Sequence, residues 1–479
     1  MKADILALLS LFLCTVFSQL IFEDEEIDYD ANDDKQLILL FEVSRHGARS
    51  PTGNKDTWFN ITWEMGSGQL TYIGERQHYL QGRRIRKMYV DQAKFLPANF
   101  DPQTIYIRST DYNRTIMSAI SQMQGLYPLG SGKVFSKSEE RQKALPPYPI
   151  TATATEVINQ NVVLPGKFSP FPVHVQLKQY EYMLRGYDSS IWQIMGKFTK
   201  ESIEEADKKT RKELQPLYDE LYQKFQVPNA SLTLEKAENY VDSYLMAKMD
   251  GKTFKNDLSP LAQNLTIEYF KYLYYDGMFG NKKSSQLTAS TFMEYLNTTI
   301  KAKISAFNGD KNATDFHKNV KFIYFSAHDT TIAGFLSAIG QGPSQKTLPP
   351  LASMILIEVY KKGGQYYLNW RYNGEYLKVT SECNSQGDWP LNSTLDFFSS
   401  MVYENLEAEC NTIDVADDKF PLYGIILLVV GGLIIIALIS GLWAWWAKAR
   451  GNINDEDEMS KEYTANLKSG INKTIDTEA

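Results

Sequence analysis

The sequence predicts an α/β fold with a central mixed sheet flanked by helices. Three apolar runs, at residues 37–43, 104–107 and 321–327, have the character of buried strands, and each ends in charged or polar side chains. Helical patterns follow the second and third runs, beginning near Asp111 and Thr330. Strand, polar turn and helix in succession are typical of α/β sheets, which bind ligands at the carboxyl ends of their strands. The three polar turns are therefore expected to meet in one site.

The N-terminus has the pattern of a secretory signal peptide, predicted over residues 1–18. An apolar core covers residues 5–17, and Val16-Phe17-Ser18 offers a small-residue cleavage site. An acidic leader with little apolar content follows at residues 19–35. The globular ectodomain is then expected at residues 36–415, which is long enough for one large domain or two smaller ones.

The first predicted strand ends in an unusual concentration of charge, Arg45-His46-Gly47-Ala48-Arg49. Arginine is always charged and fits a phosphate group with two parallel hydrogen bonds. A histidine held among arginines is pushed toward its neutral form, because a second cation nearby is unfavourable. A neutral imidazole that faces a phosphoryl group is a nucleophile. A surface turn would explain any one of these residues, but chance does not readily explain all of them at this spacing.

The middle and the end of the ectodomain differ in pattern. Residues of about 180–308 are mostly helical in periodicity and charge, which predicts a smaller helical cap inserted into the sheet domain. Residues 354–360, 366–372 and 376–379 read as strands of two successive hairpins, with an Asn373-Gly374 turn between the last two.

A second hydrophobic segment lies near the C-terminus. Residues 422–446 are uncharged and rich in Ile, Leu, Val and Gly, and they are long enough to cross a bilayer as one helix. Lys448 and Arg450 follow, whereas Asp417 and Asp418 precede, so the positive-inside bias places the tail, residues 447–479, in the cytosol. The sequence thus predicts a single-pass type I membrane protein of the lysosome or plasma membrane, with its ectodomain lumenal or extracellular.

Sequons and cysteines agree with passage through the secretory pathway. After removal of the signal, Cys383 and Cys410 remain, and in an oxidising compartment they most simply form a disulfide, with free thiols as the alternative. Glycosylation is predicted from the Asn-x-Ser/Thr sequons at Asn60, Asn113, Asn229, Asn264, Asn297, Asn312 and Asn392. Asn113 stays open, because it lies within a motif expected at the site.

Four motifs in this chain resemble the histidine acid phosphatases, the branch of the histidine phosphatase superfamily that includes prostatic and lysosomal acid phosphatases and fungal phytases. They are Arg-His-Gly-x-Arg-x-Pro at 45–51, Leu-Thr-x-x-Gly-x-x-Gln at 70–77, Arg-Ser-Thr-Asp-x-x-Arg-Thr at 108–115 and Ser-Ala-His-Asp-Thr-Thr at 326–331. The first and last are highly specific. The resemblance covers most of the ectodomain and implies a phosphoglycerate-mutase-like sheet with a helical cap.

The resemblance also implies roles. His46 would be the nucleophile that forms a phosphohistidine, and Asp329 would protonate the leaving alcohol and then activate water. The phosphate oxygens would be held by four side chains, Arg45, Arg49, Arg108 and His328. Arg114 is left with two alternatives, an acidic partner or the phosphate. No cofactor and no metal are expected, because electrostatic stabilisation of the phosphoryl group takes their place.

Substrate and partners are less closely defined by the sequence. Ala48 stands where prostatic and lysosomal forms usually carry Asp and phytases often carry Ala, yet the membrane segment and the His-Asp-Thr-Thr ending are more like the lysosomal type. We therefore expect a general acid phosphatase, with a phytase-like enzyme, a lysophosphatidate phosphatase and a catalytically silent receptor as alternatives. The expected partners are a phosphate monoester, the membrane and, as an open alternative, a second copy in a homodimer. The net charge of −7 argues against nucleic acid. The remaining histidines, His78, His174 and His317, are expected to be structural or solvated.

Overall fold

The structure is a computed structural model of the 479-residue chain. It describes residues 34–52, 61–148, 160–188, 193–227, 232–341, 348–379, 383–384, 387–403, 406, 438–443 and 445–446. The chain divides into two compact units, Met1–Thr412 and Ile413–Ala479. The described parts of the first unit contain the predicted sheet, and the described residues of the second unit are helical and exposed.

A central mixed sheet organises the first unit, as predicted. Its strands are β1 (Gln36–Arg45), β2 (Ile105–Thr110), β3 (Val173–Gln176), β4 (Phe322–Ala327), β5 (Met354–Lys362), β6 (Gln365–Tyr372), β7 (Glu375–Tyr376) and β8 (Asp388–Pro390). The order is β3-β2-β4-β1-β5-β6-β7, and β8 pairs with β6. The first four strands are parallel to one another, whereas β5 to β8 pair antiparallel. The three predicted polar turns therefore share one edge of the parallel part.

Helices cover both faces of this sheet and form the cap. They are α1 (Tyr72–Ile85), α2 (Asn113–Leu126), α3 (Ser138–Lys143), α4 (Gln193–Phe225), α5 (Leu234–Met249), α6 (Pro260–Lys271), α7 (Lys282–Phe307), α8 (Asp315–Asn319), α9 (Asp329–Ala338) and α10 (Leu391–Met401). Two π-helical segments, Arg86–Gln92 and Tyr272–Met278, continue α1 and α6. The long α4 continues through Pro216.

The cores explain why β1 is an almost continuous apolar run. Leu39, Phe41 and Val43 pack in one cluster with residues of α7, α9 and α10, such as Phe292. The intervening Leu40 packs on the opposite face, in a cluster that includes residues of α1 and α2. A strand buried on both faces carries apolar side chains in both directions, so the alternation of a half-exposed strand is lost. The cap has its own core, formed mainly by α4, α5 and α6.

Several expectations fall on parts of the chain that the structure does not describe. The predicted signal peptide at 1–18, the leader except its last residues, and most of the predicted transmembrane segment at 422–446 lie outside the described residues. Within the described residues, no helix has both the length and the apolar character needed to cross a membrane. Cys383 is half-buried and Cys410 lies outside the described residues, so their pairing stays a prediction.

Candidate active site

Strand register brings the ends of β1 and β4 together. Arg45, the last residue of β1, lies beside Ala327, the last residue of β4. The next residue on each strand is a histidine, and the ring centroids of His46 and His328 are 5.7 Å apart at an interplanar angle of 72°. On the other side of β4, the end of β2 places the Thr110 hydroxyl oxygen 2.9 Å from His328 Nε2. The three polar turns therefore meet, as the sequence predicts.

The His46 ring has a defined tautomer. Its Nδ1 lies 2.8 Å from the carbonyl oxygen of Gly47, and a carbonyl can only accept, so Nδ1 carries the proton. The lone pair is then on Nε2. Burial, together with the positive charges of Arg114, Arg49 and Arg45, holds the pKa of His46 well below its usual value. His46 is thus a neutral imidazole with its nucleophilic nitrogen unprotonated.

Two glycines allow the loop after β1 to lie against α1. A Cβ atom on Gly47 would lie 2.5 Å from the carbonyl oxygen of Gly74, and a Cβ on Gly74 would lie 2.3 Å from the carbonyl oxygen of Ala48. Neither contact leaves room for a side chain, which explains why both motifs contain glycine at these positions. Ala48 itself is inaccessible to solvent, so its side chain offers no contact to a substrate. Ala48 therefore does not select between substrate classes by direct contact.

Arg45 joins the predicted nucleophile loop to the predicted acid. Its Nη2 lies 2.8 Å from Asp329 Oδ2, and its Nη1 donates to the carbonyl oxygen of Pro349. Asp329 is the first residue of α9, and the backbone N–H of Thr330 donates to its Oδ1 at 2.8 Å. Burial opposes ionisation of Asp329, but Arg45, Arg49 and this hydrogen bond outweigh it and leave its pKa below the usual value. Asp329 is therefore a carboxylate in this arrangement.

Arg49 is paired with a residue of the cap. Its Nη1 and Nη2 donate to the two carboxylate oxygens of Asp242 on α5, at 3.0 and 2.8 Å. Glu238, one turn earlier on the same helix, lies close enough to Asp242, Asp329 and Arg49 for their charges to affect its pKa. Burial and the neighbouring carboxylates raise the pKa of Glu238 to about 7. The cap therefore adds two carboxyl groups beside the phosphate-binding residues that the motifs predict.

Arg114, at the start of α2, belongs to the same cluster. Its Nη2 lies 3.4 Å from His328 Nδ1, and its charge is the foremost electrostatic influence on the pKa of His46. Burial and the charge of Arg49 lower the pKa of Arg114 itself to about 10. Of the two alternatives left open for Arg114, the geometry favours the phosphate site, since no carboxylate among the described residues is within ion-pair distance of its guanidinium.

Arg108, which the sequence predicts to hold a phosphate oxygen, is paired with a carboxylate in the structure. It is two residues before the end of β2, and its Nη2 lies 2.8 Å from both carboxylate oxygens of Glu181, which is buried. The sequence offers both arginines in one motif, and only the fold decides between a side chain within β2 and one on the helix that follows.

The guanidinium cluster contains N–H groups that form no hydrogen bond with the described residues. The Nε atoms of Arg45, Arg49 and Arg114 are buried and have no acceptor among the described residues. Unpartnered buried donors are rare in folded proteins, because burial removes the water that would otherwise bind them. Three of them around one neutral imidazole form a cradle for an anion with several acceptor oxygens.

Sequence reasoning missed the carboxyl groups of the cap. Asp242 and Glu238 lie on α5, whose mixture of charged and apolar residues is that of any partly solvated helix. Their spacing of four residues places them on one face of the helix, but such pairs are common on solvated faces. No signal in the sequence indicates that this face turns toward β1.

Comparison with known proteins agrees with this geometry. Residues 36–380 match the family described as histidine phosphatase superfamily (branch 2). Human prostatic acid phosphatase is 28% identical over 391 residues, which cover 79% of this chain and 89% of the relative. Lysosomal acid phosphatase of Xenopus laevis is 24% identical over 447 residues, covering 90% and 92%.

Solved structures are similar in fold. The phytase of Hafnia alvei in its apo form has a TM-score of 0.52 at 15% identity, and the phytase of Citrobacter braakii has 0.52 at 13%. Each similarity covers 78% of this chain and 98% or 99% of the other. At this level of identity the similarity concerns the fold alone. The match over residues 36–380 establishes that the chain belongs to branch 2 of the histidine phosphatase superfamily and is a phosphomonoester hydrolase.

Proposed function

We propose that the chain is an acid phosphatase that hydrolyses phosphate monoesters through a phosphohistidine on His46. The observation that carries this proposal is the set of three guanidiniums, each with a buried and unpartnered Nε–H group, around a neutral His46. A phosphate monoester supplies the missing acceptor oxygens, and guanidiniums bind phosphate through parallel hydrogen bonds. Arg45, Arg49 and Arg114 hold the phosphoryl group, with His328 beside it.

In the first step, His46 Nε2 attacks phosphorus while the bond from phosphorus to the ester oxygen breaks. Negative charge develops on the leaving oxygen, which takes a proton from Asp329. A phosphate dianion competes with Asp329 for Arg45 and repels the carboxylate, so substrate binding raises the pKa of Asp329 and the carboxylate takes up a proton from solvent before the leaving oxygen departs. The ion pair with Arg45 thus keeps Asp329 ionised before substrate binds, and substrate binding converts Asp329 to its acid form.

In the second step, the now ionised Asp329 accepts a proton from water, and the water oxygen attacks phosphorus. The bond between phosphorus and His46 Nε2 breaks, which releases inorganic phosphate and restores the neutral imidazole. Throughout, the arginines stabilise the charge on the transferring phosphoryl group, and this is the main contribution of a protein to phosphoryl transfer.

The cap contributes carboxyl groups near the place where the leaving group of the substrate would lie. Asp242 is paired with Arg49, and Glu238 becomes negative as the pH rises through about 7. Above that pH, a carboxylate at this place repels a leaving group that carries several further phosphates, whereas at acid pH Glu238 is neutral. We favour a general phosphomonoesterase over the phytase-like alternative because the similar curated sequences are prostatic and lysosomal acid phosphatases. Membrane attachment, itself still a prediction, would not be enough to favour lysophosphatidate.

The decisive experiment measures phosphate release from p-nitrophenyl phosphate, phytate and lysophosphatidate between pH 4 and 8. Hydrolysis of p-nitrophenyl phosphate at acid pH is expected, with loss of both turnover and phospho-enzyme in His46→Ala. His317→Ala, on the outer helix α8, is the matched control and is expected to retain wild-type rates. Inactivity on all three substrates would favour the silent receptor instead.

A second pair of variants tests which arginine holds phosphate. Arg114→Gln is expected to weaken competitive inhibition by inorganic phosphate by one to two orders of magnitude, the typical effect of losing a charged hydrogen bond. Arg108→Gln leaves Glu181 buried without its cation, so it is expected to lower the unfolding midpoint and change phosphate inhibition little. The reverse pattern would return Arg108 to the phosphate site.

We also propose that the catalytic domain is lumenal or extracellular and that residues 422–446 anchor it as a type I membrane protein. The proposal is supported by the signal-like N-terminus, the sequons and the names of the lysosomal and prostatic relatives. Sequons Asn113, Asn264, Asn312 and Asn392 are exposed. Endoglycosidase sensitivity with resistance to alkaline carbonate extraction is the expected result, and a chain that is unglycosylated or extracted would contradict it.

A further inference from the structure

A buried carboxyl group lies behind the site in a place that the proposed chemistry does not use. Glu42 is on β1, three residues before Arg45, and it is inaccessible to solvent. Its Oε1 accepts hydrogen bonds from Gln122 Nε2 on α2 at 2.7 Å and from Gln81 Nε2 on α1 at 3.1 Å. Its Oε2 has no partner among the described residues. A carboxyl group in such surroundings is unfavourable as an anion, so its protonation state is open to control.

The contacts continue from Glu42 to the end of β1. Gln122 Oε1 lies 3.1 Å from His78 Nδ1, and His78 Nε2 lies 3.1 Å from the carbonyl oxygen of Arg45. The same peptide unit contributes the N–H of His46, which donates to the carbonyl oxygen of Ala327 at 3.0 Å. Because a peptide unit is rigid and planar, these two contacts together set the direction in which His46 leaves the strand.

The number of protons in this chain of contacts determines which of its hydrogen bonds can form at the same time. The carbonyl of Arg45 only accepts, so His78 Nε2 must carry a proton. A neutral His78 then needs a donor at Nδ1, which requires the Gln122 amide to turn its NH₂ toward His78 and its oxygen toward Glu42. Glu42 must be protonated to donate to that oxygen. With a neutral carboxyl group, every member of the chain is satisfied.

Loss of the Glu42 proton reverses the amide. A carboxylate requires the NH₂ of Gln122, and this is the orientation in the structure, with Nε2 toward Glu42 and Oε1 toward His78. A neutral His78 then has one N–H for two acceptors, so it loses its hydrogen bond either to Gln122 or to the carbonyl of Arg45. Burial raises the pKa of Glu42 to about 7 and lowers that of His78 to about 4, which makes both groups neutral at the pH between.

We propose that Glu42, Gln122 and His78 form a proton-sensitive relay that positions the Arg45–His46 peptide, with the neutral form of Glu42 as the active arrangement. The relay rests on the proposed function, since its output is the orientation of His46. All three are positioning residues, because none of them touches the substrate. As the pH rises, the release of the Glu42 proton to solvent loosens the peptide and lowers the competence of the site.

Other ionisable groups near Glu42 do not account for such a change. Tyr324 is opposite it on β4, and the Tyr324 phenol, whose pKa is well above its usual value, stays protonated. On β5 its neighbour is Leu356, and on α1 and α2 the facing ionisable group is His78. Farther along the same sheet, Glu358 is held ionised by Lys35 and Arg371.

The test compares pH profiles of the full chain with Glu42→Gln, which cannot lose a proton. Glu358→Gln is the matched control, a buried carboxyl group on the adjacent strand with no contact to the relay. Between pH 6 and 8, we expect kcat/KM of the wild type and of Glu358→Gln to fall on the order of tenfold more than that of Glu42→Gln, since small misplacements of reacting groups have effects of this size. In a Gln122→Met background, Glu42→Gln is expected to leave the pH dependence of kcat/KM unchanged, because the amide that joins Glu42 to His78 is missing.

Inorganic phosphate provides a readout that does not depend on turnover. Its affinity, measured by calorimetry over the same pH range, is expected to weaken less in Glu42→Gln than in the wild type, and the ionisation of phosphate itself is common to both. Superposable profiles of wild type and Glu42→Gln in both measurements would overturn the relay. A wild type that hydrolyses no substrate would overturn the proposed function, and phosphate affinity would then decide the relay by the same comparison.

Discussion

Glu42→Gln should change how the stability of the protein depends on pH, apart from any effect on catalysis. Burial raises the pKa of Glu42 from its ordinary value of 4.5 to about 7, so the folded state binds the extra proton between these values. Its stabilising contribution is fully present below pH 4.5 and is lost as the pH rises through about 7. A shift of this size corresponds to about 3 kcal/mol, because each pKa unit is about 1.4 kcal/mol.

His78 has the opposite effect over nearly the same range. Burial lowers its pKa from 6.5 to about 4, so its contribution is present above pH 6.5 and is lost as the pH falls through about 4. In the wild type the two contributions largely cancel between pH 4.5 and 6.5. Glu42→Gln removes one of them, and the free energy of unfolding of the variant should then rise relative to the wild type by about 3 kcal/mol between pH 4.5 and 7.

The assay is urea unfolding of the full-length protein at half-unit pH steps, and the quantity compared is the difference between variant and wild type. Glu358→Gln is again the control. Burial opposes the ionisation of Glu358, but Lys35 and Arg371 outweigh it and lower the pKa of Glu358. The effect of Glu358 on stability therefore varies only below pH 4.5, and the difference between Glu358→Gln and the wild type should be flat above that pH. A difference between Glu42→Gln and wild type that is also flat from pH 4.5 to 7 would show that Glu42 holds no extra proton in the folded state, and the relay would then have no proton to release.

Three further results are expected. Asp329→Asn should slow substrates with poor leaving groups, such as alkyl phosphates, at least a hundredfold more than p-nitrophenyl phosphate, because general acid catalysis contributes about 10²–10⁴; equal losses in kcat would argue against Asp329 as the acid. Glu238→Gln should raise the rate on phytate relative to p-nitrophenyl phosphate at pH 7.5 but not at pH 5, since burial and nearby carboxylates keep Glu238 protonated below a pKa of about 7; an unchanged ratio of kcat/KM at both pH values would remove Glu238 from specificity. Gly82→Ala places a Cβ 1.9 Å from the carbonyl oxygen of Gln122, so α1 and α2 must separate. We expect the free energy of unfolding in urea to fall by at least about 3 kcal/mol and phosphate binding to weaken. An unfolding midpoint near that of the wild type would contradict this packing.

Much of the site follows from the sequence because it is built from short contiguous motifs. Arg45, His46 and Arg49 share one turn, and His328 and Asp329 begin one helix, so their local arrangement depends on the strand and turn that contain them. Parallel strands bring their carboxyl ends to one edge, and this rule brings together turns that are about 280 residues apart. The buried strands can also be predicted from the sequence, because burial on both faces requires a continuous apolar run.

Only the tertiary structure decided the charges around those motifs. Whether Arg108 or Arg114 reaches the cluster depends on where Glu181 lies, and Glu181 is far from both in sequence. Asp242 approaches Arg49 because the cap core orients α5, and periodicity does not encode such an orientation. Glu42 stands in the apolar run of β1 without a local partner, and its role emerges only when α1 and α2 bring Gln81, Gln122 and His78 to it. Motifs record contacts between sequence neighbours, whereas ionisation depends on every charge and dipole that the fold brings near, however distant along the chain.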